Sequence, residues 1–283
     1  MTDEIRTVTV EEDDDSEASA GEYLLGGVVA YNASFAANQL AEINNLVLPM
    51  MRQTERKIMA LFNKYDRKEI SFIQLTSKLK VTLGIINVDQ KKVFRREGKI
   101  IAYNYTDGLS KLIKTSVKRA VQPLYYGRRP PLFKESSKDF ISMESTAYFA
   151  MFNFIMAAQS FYHEKIAFEV ATAIRAKSSD GVAEYFGKQV GITERHTANK
   201  FGDNFRQDTN SMSRALLDRN GFNYFRWVYT DRAKEPRPFH KFELAGNIFS
   251  IDEPPVIDEK TGEKGHPGQL WGCKCMMQPV KKA

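Results

Sequence analysis

The sequence predicts a mainly α protein that closes with a small α+β module, long N-terminal helices followed by short strands. Three observations carry that expectation. In the segment from Gly26-Gly27 to about Tyr65, apolar side chains return at three- and four-residue steps, the period of a helix with one buried face, and further long helical segments are expected as far as Arg219. Beyond Gly221 this period gives way to short runs broken by Gly and Pro, the pattern of strands and turns. Charge is segregated as well: residues 1–22 hold nine acids and one base, a net of −8 against +6 for the whole chain, so residues 23–283 carry +14.

Residues 1–22 come first. A block such as Glu11 to Asp15 repels itself and offers no apolar face, which predicts a disordered acidic tail. Its open roles are keeping the chain soluble, or else docking on a basic partner surface or shielding the cationic body from nucleic acid until assembly. Residues 23–180 are expected to form a helical body. After Gly26-Gly27, the positions Leu40, Ile43, Val47, Met51 and Ile58 mark a helix to about Tyr65, with an interruption expected at Pro49. A second helix is expected around Phe72 to Leu83, and a third from Asp89, as its N-cap, to Val121, where Gln122-Pro123 ends it. Pro130-Pro131 removes backbone donors, so Tyr125 to Pro131 reads as a linker or surface loop. Met143 to Ala176 predicts another long helix, aromatic at its start. Residues 181–283 are the terminal module. It opens with helices over Val182 to Val190 and Thr193 to Arg219, continues with strands over Tyr224 to Thr230 and Phe242 to Phe249, and ends in an element holding both cysteines.

Composition narrows the function classes. The two cysteines, at i and i+2, make no disulfide framework. The apolar stretch from Tyr148 to Ala158 is interrupted by Asn153, followed by Gln159, and is too short to span a bilayer, so a soluble, cytoplasmically made protein with no membrane partner is expected.

The most informative residues lie late in the chain. Trp227-Val228-Tyr229-Thr230-Asp231 leads into Arg237-Pro238-Phe239-His240, then Gly246, then Pro267-Gly268, and finally Cys273-Lys274-Cys275. Upstream, Thr193-Glu194-Arg195 opens a helical stretch that contains Arg206-Gln207-Asp208-Thr209-Asn210 and ends at Asn220-Gly221. This order resembles the C-terminal signature of the phage head morphogenesis family, the Mu F-like minor capsid proteins. The likeness covers roughly residues 193–280, about a third of the chain, and Lys274 stands where the family usually has Arg. It implies a non-enzymatic minor head protein of a tailed phage, inside the virion head near the portal after assembly in the host cytoplasm. The implied partners are the portal protein, the major capsid or scaffold protein and packaged double-stranded DNA, and the implied work is head assembly with DNA packaging and ejection.

The residues themselves set out the chemistry to look for. On an extended segment the side chains of Cys273 and Cys275 share a face, with Cβ atoms about 6–7 Å apart, too far for an undistorted disulfide. Two thiolates there would share a metal, with zinc as the candidate, if His240 and a fourth ligand converge; His266 is the nearest candidate and Asp231 the next. Zinc sites usually space their cysteines by two to four residues, which C-x-C does not, so packing of two reduced thiols beside a hydrogen-bonded His240 is the competing reading. Arg206 and Asp208, with Asp231 and Arg237, are candidates for a polar latch between helix and strands, Asp231 being the expected partner of Arg206; a solvated helix face competes with it. Lys111, Lys114, Lys118 and Arg119, like the bases from Lys91 to Lys99, are candidates for non-specific contact with DNA phosphates, against the alternative of an exposed charged stripe. Asp231, Arg237 and His240 also admit a different class, a head-carried nuclease or toxin-type effector. The resemblance disfavours that class, because family members with such activity carry it in a domain appended to this module and little chain follows Cys275.

Overall fold

The structure, a computed structural model, describes residues 7–9, 22–29, 31–125, 131–177, 180–230 and 237–282. The acidic block at 11–15, most of the expected linker (126–130) and Asp231 lie outside them. The described chain is mainly helical and ends in short strands, as the periodicity predicts. Its long helices are α1 (Ala33–Asp66), α2 (Phe72–Val121), α3 (Lys138–Ala176) and α4 (Asp180–Arg219). Its strands are β1 (Thr7–Thr9), β2 (Glu22–Leu25), β3 (Tyr224–Val228), β4 (Ile248–Ser250), β5 (Val256–Asp258), β6 (Glu263–Lys264) and β7 (Met276–Lys282).

Several expected boundaries give way. Pro49 removes one ladder donor, yet α1 runs through it, because Val47 and Met51, each 2% exposed, keep the same face buried on either side. The two helices expected on either side of Asp89 are one, α2. Gly84 and Asp89 both point to solvent, while Leu79, Ile86, Gln90 and Phe94 hold the inward phase unbroken. The true start of α2 is a capping box: Ser71 Oγ accepts from Gln74 N at 3.3 Å and Gln74 Oε1 accepts from Ser71 N at 2.9 Å. α3 begins at Lys138, earlier than Met143, because Ser137 Oγ caps the Phe140 N–H at 3.0 Å. α4 is likewise continuous where two helices are expected, and the second expected strand is instead a π-helical turn at His240–Leu244 followed by β4. Within the expected tail, Thr7–Thr9 pairs antiparallel with β2, so that part is a strand.

The chain divides into two compact units that are not consecutive stretches, and neither matches a boundary at residue 180. One comprises residues 33–105 and 148–202, all helical apart from the turns. Its buried positions repeat at eleven residues, as in Ala36, Val47 and Ile58 of α1 and Met151, Tyr162 and Ala173 of α3. That spacing, about 3.67 per turn, exceeds the 3.6 of a straight helix and favours a right-handed supercoil. A polar layer crosses this core: Gln90 donates to Thr54 Oγ1 at 2.7 Å, Gln159 to Asn87 Oδ1 at 3.1 Å and the Tyr162 hydroxyl to the Met51 carbonyl at 3.1 Å.

The other unit comprises residues 1–32, 106–147 and 203–283. It holds an antiparallel sheet in the order β1-β2-β7-β3-β4 and the separate β5-β6 pair. The sheet alternates its faces, placing Phe225 and Trp227 of β3 and Met277 of β7 in the core, each at most 1% exposed. α4 delivers the chain to β3 through Gly221, whose φ of +76° lets the Phe222 N–H reach back to the Leu217 carbonyl at 3.1 Å and close the helix end. The candidate site lies in this unit.

Candidate metal centre

β3 fixes Trp227, and the residues of the signature gather around it. Gly246 N donates to the Trp227 carbonyl and Trp227 N to the Asn247 carbonyl, both at 2.9 Å, which brings the π-helical turn against the strand. A π turn is wider than an α turn and re-aims the side chains it carries. Here it sets His240, 2% exposed, edge-on to the Trp227 indole with ring centres 5.2 Å apart. From the other side, Val228 pairs with Met276 and the Thr230 hydroxyl donates to the Lys274 carbonyl at 3.0 Å. Cys273 and Cys275, both buried and unbridged, are thereby held beside the same histidine.

The three side chains form one group, with their ligand atoms all within 4.8 Å of one another. His240 Nε2 lies 2.9 Å from the Ile257 carbonyl, which only accepts, so that nitrogen carries the proton and Nδ1 presents its lone pair. Nδ1 lies 3.5 Å from Cys273 Sγ and 3.7 Å from Cys275 Sγ. Zinc bonds of about 2.3 Å to sulfur and about 2.0–2.1 Å to nitrogen give a tetrahedral N–S edge of about 3.6 Å, so the donor set fits the ion. The Ile257 carbonyl supplies the outer hydrogen bond that metal-bound histidines usually make. The arrangement could hold a metal, and S–H contacts to a bare imidazole nitrogen account for the same distances.

Proximity separates the acidities of the two thiols. The hydrogen bond from Cys275 leads the causes that hold Cys273 well below its usual range, and the same contact, with burial, drives Cys275 upward. Burial pulls the His240 pKa down, but its contacts with Cys273 and the Ile257 carbonyl together outweigh this and leave it raised. The group thus favours a thiolate on Cys273, the form in which cysteine binds metal. The Trp227 indole N–H, directed at Cys275, is among the groups that favour charge on that thiol.

His266 does not join the group. Its Nε2 donates to the Ile251 carbonyl at 2.8 Å, its Nδ1 faces Arg214 Nη1 at 3.4 Å, and burial lowers its pKa. Both ring nitrogens are thus engaged elsewhere, which corrects its expected place as fourth ligand. Among the described residues no other His, Cys, Asp or Glu stands with the three, and Asp231 is outside them.

What His266 does instead belongs to a zipper. α4 presents Asp203, Gln207, Asn210 and Arg214 at steps of four, three and four, one face of a helix. Each reads the loop that leads to the cysteines. Asp203 Oδ1 accepts from Gly272 N at 3.3 Å, Gln207 donates to the Gln269 carbonyl at 3.0 Å, Asn210 to the Pro267 carbonyl at 2.6 Å, and Arg214 faces His266. Gly268 is required by this closeness: its φ is +77° and a Cβ would sit 2.1 Å from Asn210 Nδ2.

Of the expected latch residues, Arg206 and Asp208 lie on α4 and Arg237 on the segment after 236, while Asp231 is outside the described residues. Arg206 pairs with Asp203, three residues earlier on its own helix, where Asp231 was the expectation. Asp208 is half-buried on the same helix, and Arg237 donates to the Trp271 carbonyl at 2.9 Å, tying the segment after 236 to the cysteine loop. Asp203 escaped the sequence reading. The only signal for it is its phase with Gln207, Asn210 and Arg214, since the Gly272 N–H it binds leaves no mark on side-chain pattern.

The basic residues of α2 separate into two kinds. Lys111 pairs with Asp107 at 2.7 Å, and Lys114 lies 3.9 Å from Glu144 and over the Phe140 ring at 5.1 Å. Lys118 and Arg119 are exposed, and Arg119 also lines a cleft of about 330 Å³ with Tyr31, Ile113 and Phe205. No helix of the described residues is long and apolar enough to cross a membrane. No known protein family, curated protein or solved structure matches the chain.

Proposed function

We propose that this chain is a minor head protein of a tailed phage, a non-enzymatic component held near the portal vertex inside the head and acting in head assembly, DNA packaging and ejection. One observation carries the reading: Trp227, Thr230, Arg237, His240, Cys273 and Cys275, residues by which the sequence resembles the phage head morphogenesis family, converge on one compact arrangement around Trp227 and His240. A signature that gathers into a single packed unit behaves as the framework of a module. Zinc is the ion assigned to His240, Cys273 and Cys275, with a structural role that fastens the cysteine loop to the turn after β3. Portal protein, major capsid or scaffold protein and non-specific double-stranded DNA are the proposed partners. The position of His240, 2% exposed and with its Nε2 bound to a carbonyl, favours this role over hydrolysis of nucleic acid, which needs a base within reach of substrate.

Co-expression with a portal oligomer tests the reading directly. The chain is expected to co-purify with the portal and to be carried into assembled heads; heads that form and package DNA without it, and a portal that leaves it behind, would sink the proposal.

A further inference from the structure

α2 leaves one face uncovered through six turns. Val81, Ile85 and Val88 are 58, 54 and 53% exposed, Lys92, Arg95 and Lys99 follow as exposed residues, and Tyr103 is 65% exposed. At 100° per residue these seven positions fall within about 40° of one line, about 33 Å long. The core side of the same helix is occupied separately by Leu79, Ile86, Gln90 and Phe94. The stripe is segregated along its length: three β-branched aliphatics come first, and then three cations. Arg96, beside it, is already paired with Glu97 at 2.7 Å.

A solvated helix face has no reason to hold three aliphatics in register. A DNA phosphate backbone would use the cations and leave Val81, Ile85 and Val88 in water. Both halves are satisfied together only by a partner whose own apolar and acidic positions are segregated in the same way. We propose that this face of α2 docks an acidic amphipathic helix of a partner protein, its apolar turns on Val81, Ile85 and Val88 and its carboxylates opposite Lys92, Arg95 and Lys99. Apolar contacts between helices laid side by side would supply the affinity, and the charges would fix direction and partner choice. The inference goes beyond the proposed head function and does not depend on it.

The test titrates the full-length protein, at about 0.15 M salt, with a synthetic helical peptide of about 24 residues. The peptide carries leucines through its first three turns and glutamates through its last three. A version with lysine for glutamate and a duplex DNA of similar length serve as the other probes. Two double variants, Ile85→Asn with Val88→Asn and Lys92→Glu with Lys99→Glu, change only exposed side chains, and circular dichroism confirms their helicity. The glutamate peptide is expected to bind best to the parent and to lose about tenfold or more with either variant. The Glu variant is expected to prefer the lysine peptide. Equal affinity for the two peptides, or no binding by either, overturns the proposal. Tighter binding of DNA, abolished by the Glu variant and untouched by the Asn variant, would make the stripe a phosphate-binding face. A change from dimer to monomer in sedimentation of the Asn variant would make the occupant a second copy of this chain.

Discussion

Asp203 is 7% exposed, and its Oδ1 serves two donors from distant parts of the chain, the Arg206 guanidinium and the Gly272 N–H. A carboxylate in that position cannot be removed without leaving a partly buried cation and a backbone donor unpaired. Asp203→Ala is therefore expected to cost about 3 kcal/mol in urea unfolding, near the lower end for breaking a buried pair, and Asp203→Asn clearly less, because its amide oxygen still accepts. An Ala variant as stable as the parent would show that the loop is held by its other contacts. The cysteines act at the same scale. Replacing Cys273 and Cys275 with Ser is expected to expose the chain beyond about residue 250 to protease while the helices of 33–202 stay folded, since a lost metal or buried latch weakens a small unit by several kcal/mol. Elemental analysis separates the causes: about one zinc per parent chain marks coordination, and none marks packing. A double Ser variant as resistant to protease as its parent would remove both.

α2 shows how elements respond to their ends and faces. Its start rests on the reciprocal Ser71–Gln74 cap, so Ser71→Ala is expected to lower stability by about 1 kcal/mol and to speed amide exchange in the first turn. No change in either would mean that packing alone sets the boundary. Near its other end, Lys111 and Lys114 already face Asp107 and Glu144. Any affinity for DNA is therefore expected to fall more steeply with Lys118→Glu and Arg119→Glu than with Lys111→Glu, and to fade with salt because it rests on phosphate contacts. Anisotropy titrations at two salt concentrations check this, and salt-independent binding would refute it. The helical period and the switch to strands after Gly221 were legible in the sequence because burial imposes them on residue type. The continuity of α2 through Asp89 and of α1 through Pro49 was not, since local breaker signals there are overridden by the unbroken inward phase of Ile86, Gln90 and Phe94, and of Val47 and Met51. In the site, His240 and the cysteines were legible from residue type, whereas the roles of His266 and Asp203 depend on the Ile251 carbonyl and the Gly272 N–H, main-chain groups that leave no mark on residue type.

At the scale of the molecule, the first strand contributes little. β1 adds three residues to the edge of a sheet in which β2 is already paired to β7, so deleting residues 1–10 is expected to move the thermal midpoint by about 3 °C or less. A larger loss, read by calorimetry, would give the segment a packing role. β7 is different, because it is the middle strand, the one whose backbone pairs with β2 on one side and β3 on the other. Gln278 of β7 reaches Gly26 across 252 positions of sequence. On the ribosome, where synthesis adds about 5–20 residues per second, β2 emerges early and must wait many seconds for the strand that receives it. Residues 33–202 leave the exit tunnel before β7 exists, so their helices have time to assemble first. The sheet, and with it the nook around His240, is therefore a late product of translation, and during that interval β2 is a strand without its neighbour, a natural client for a chaperone.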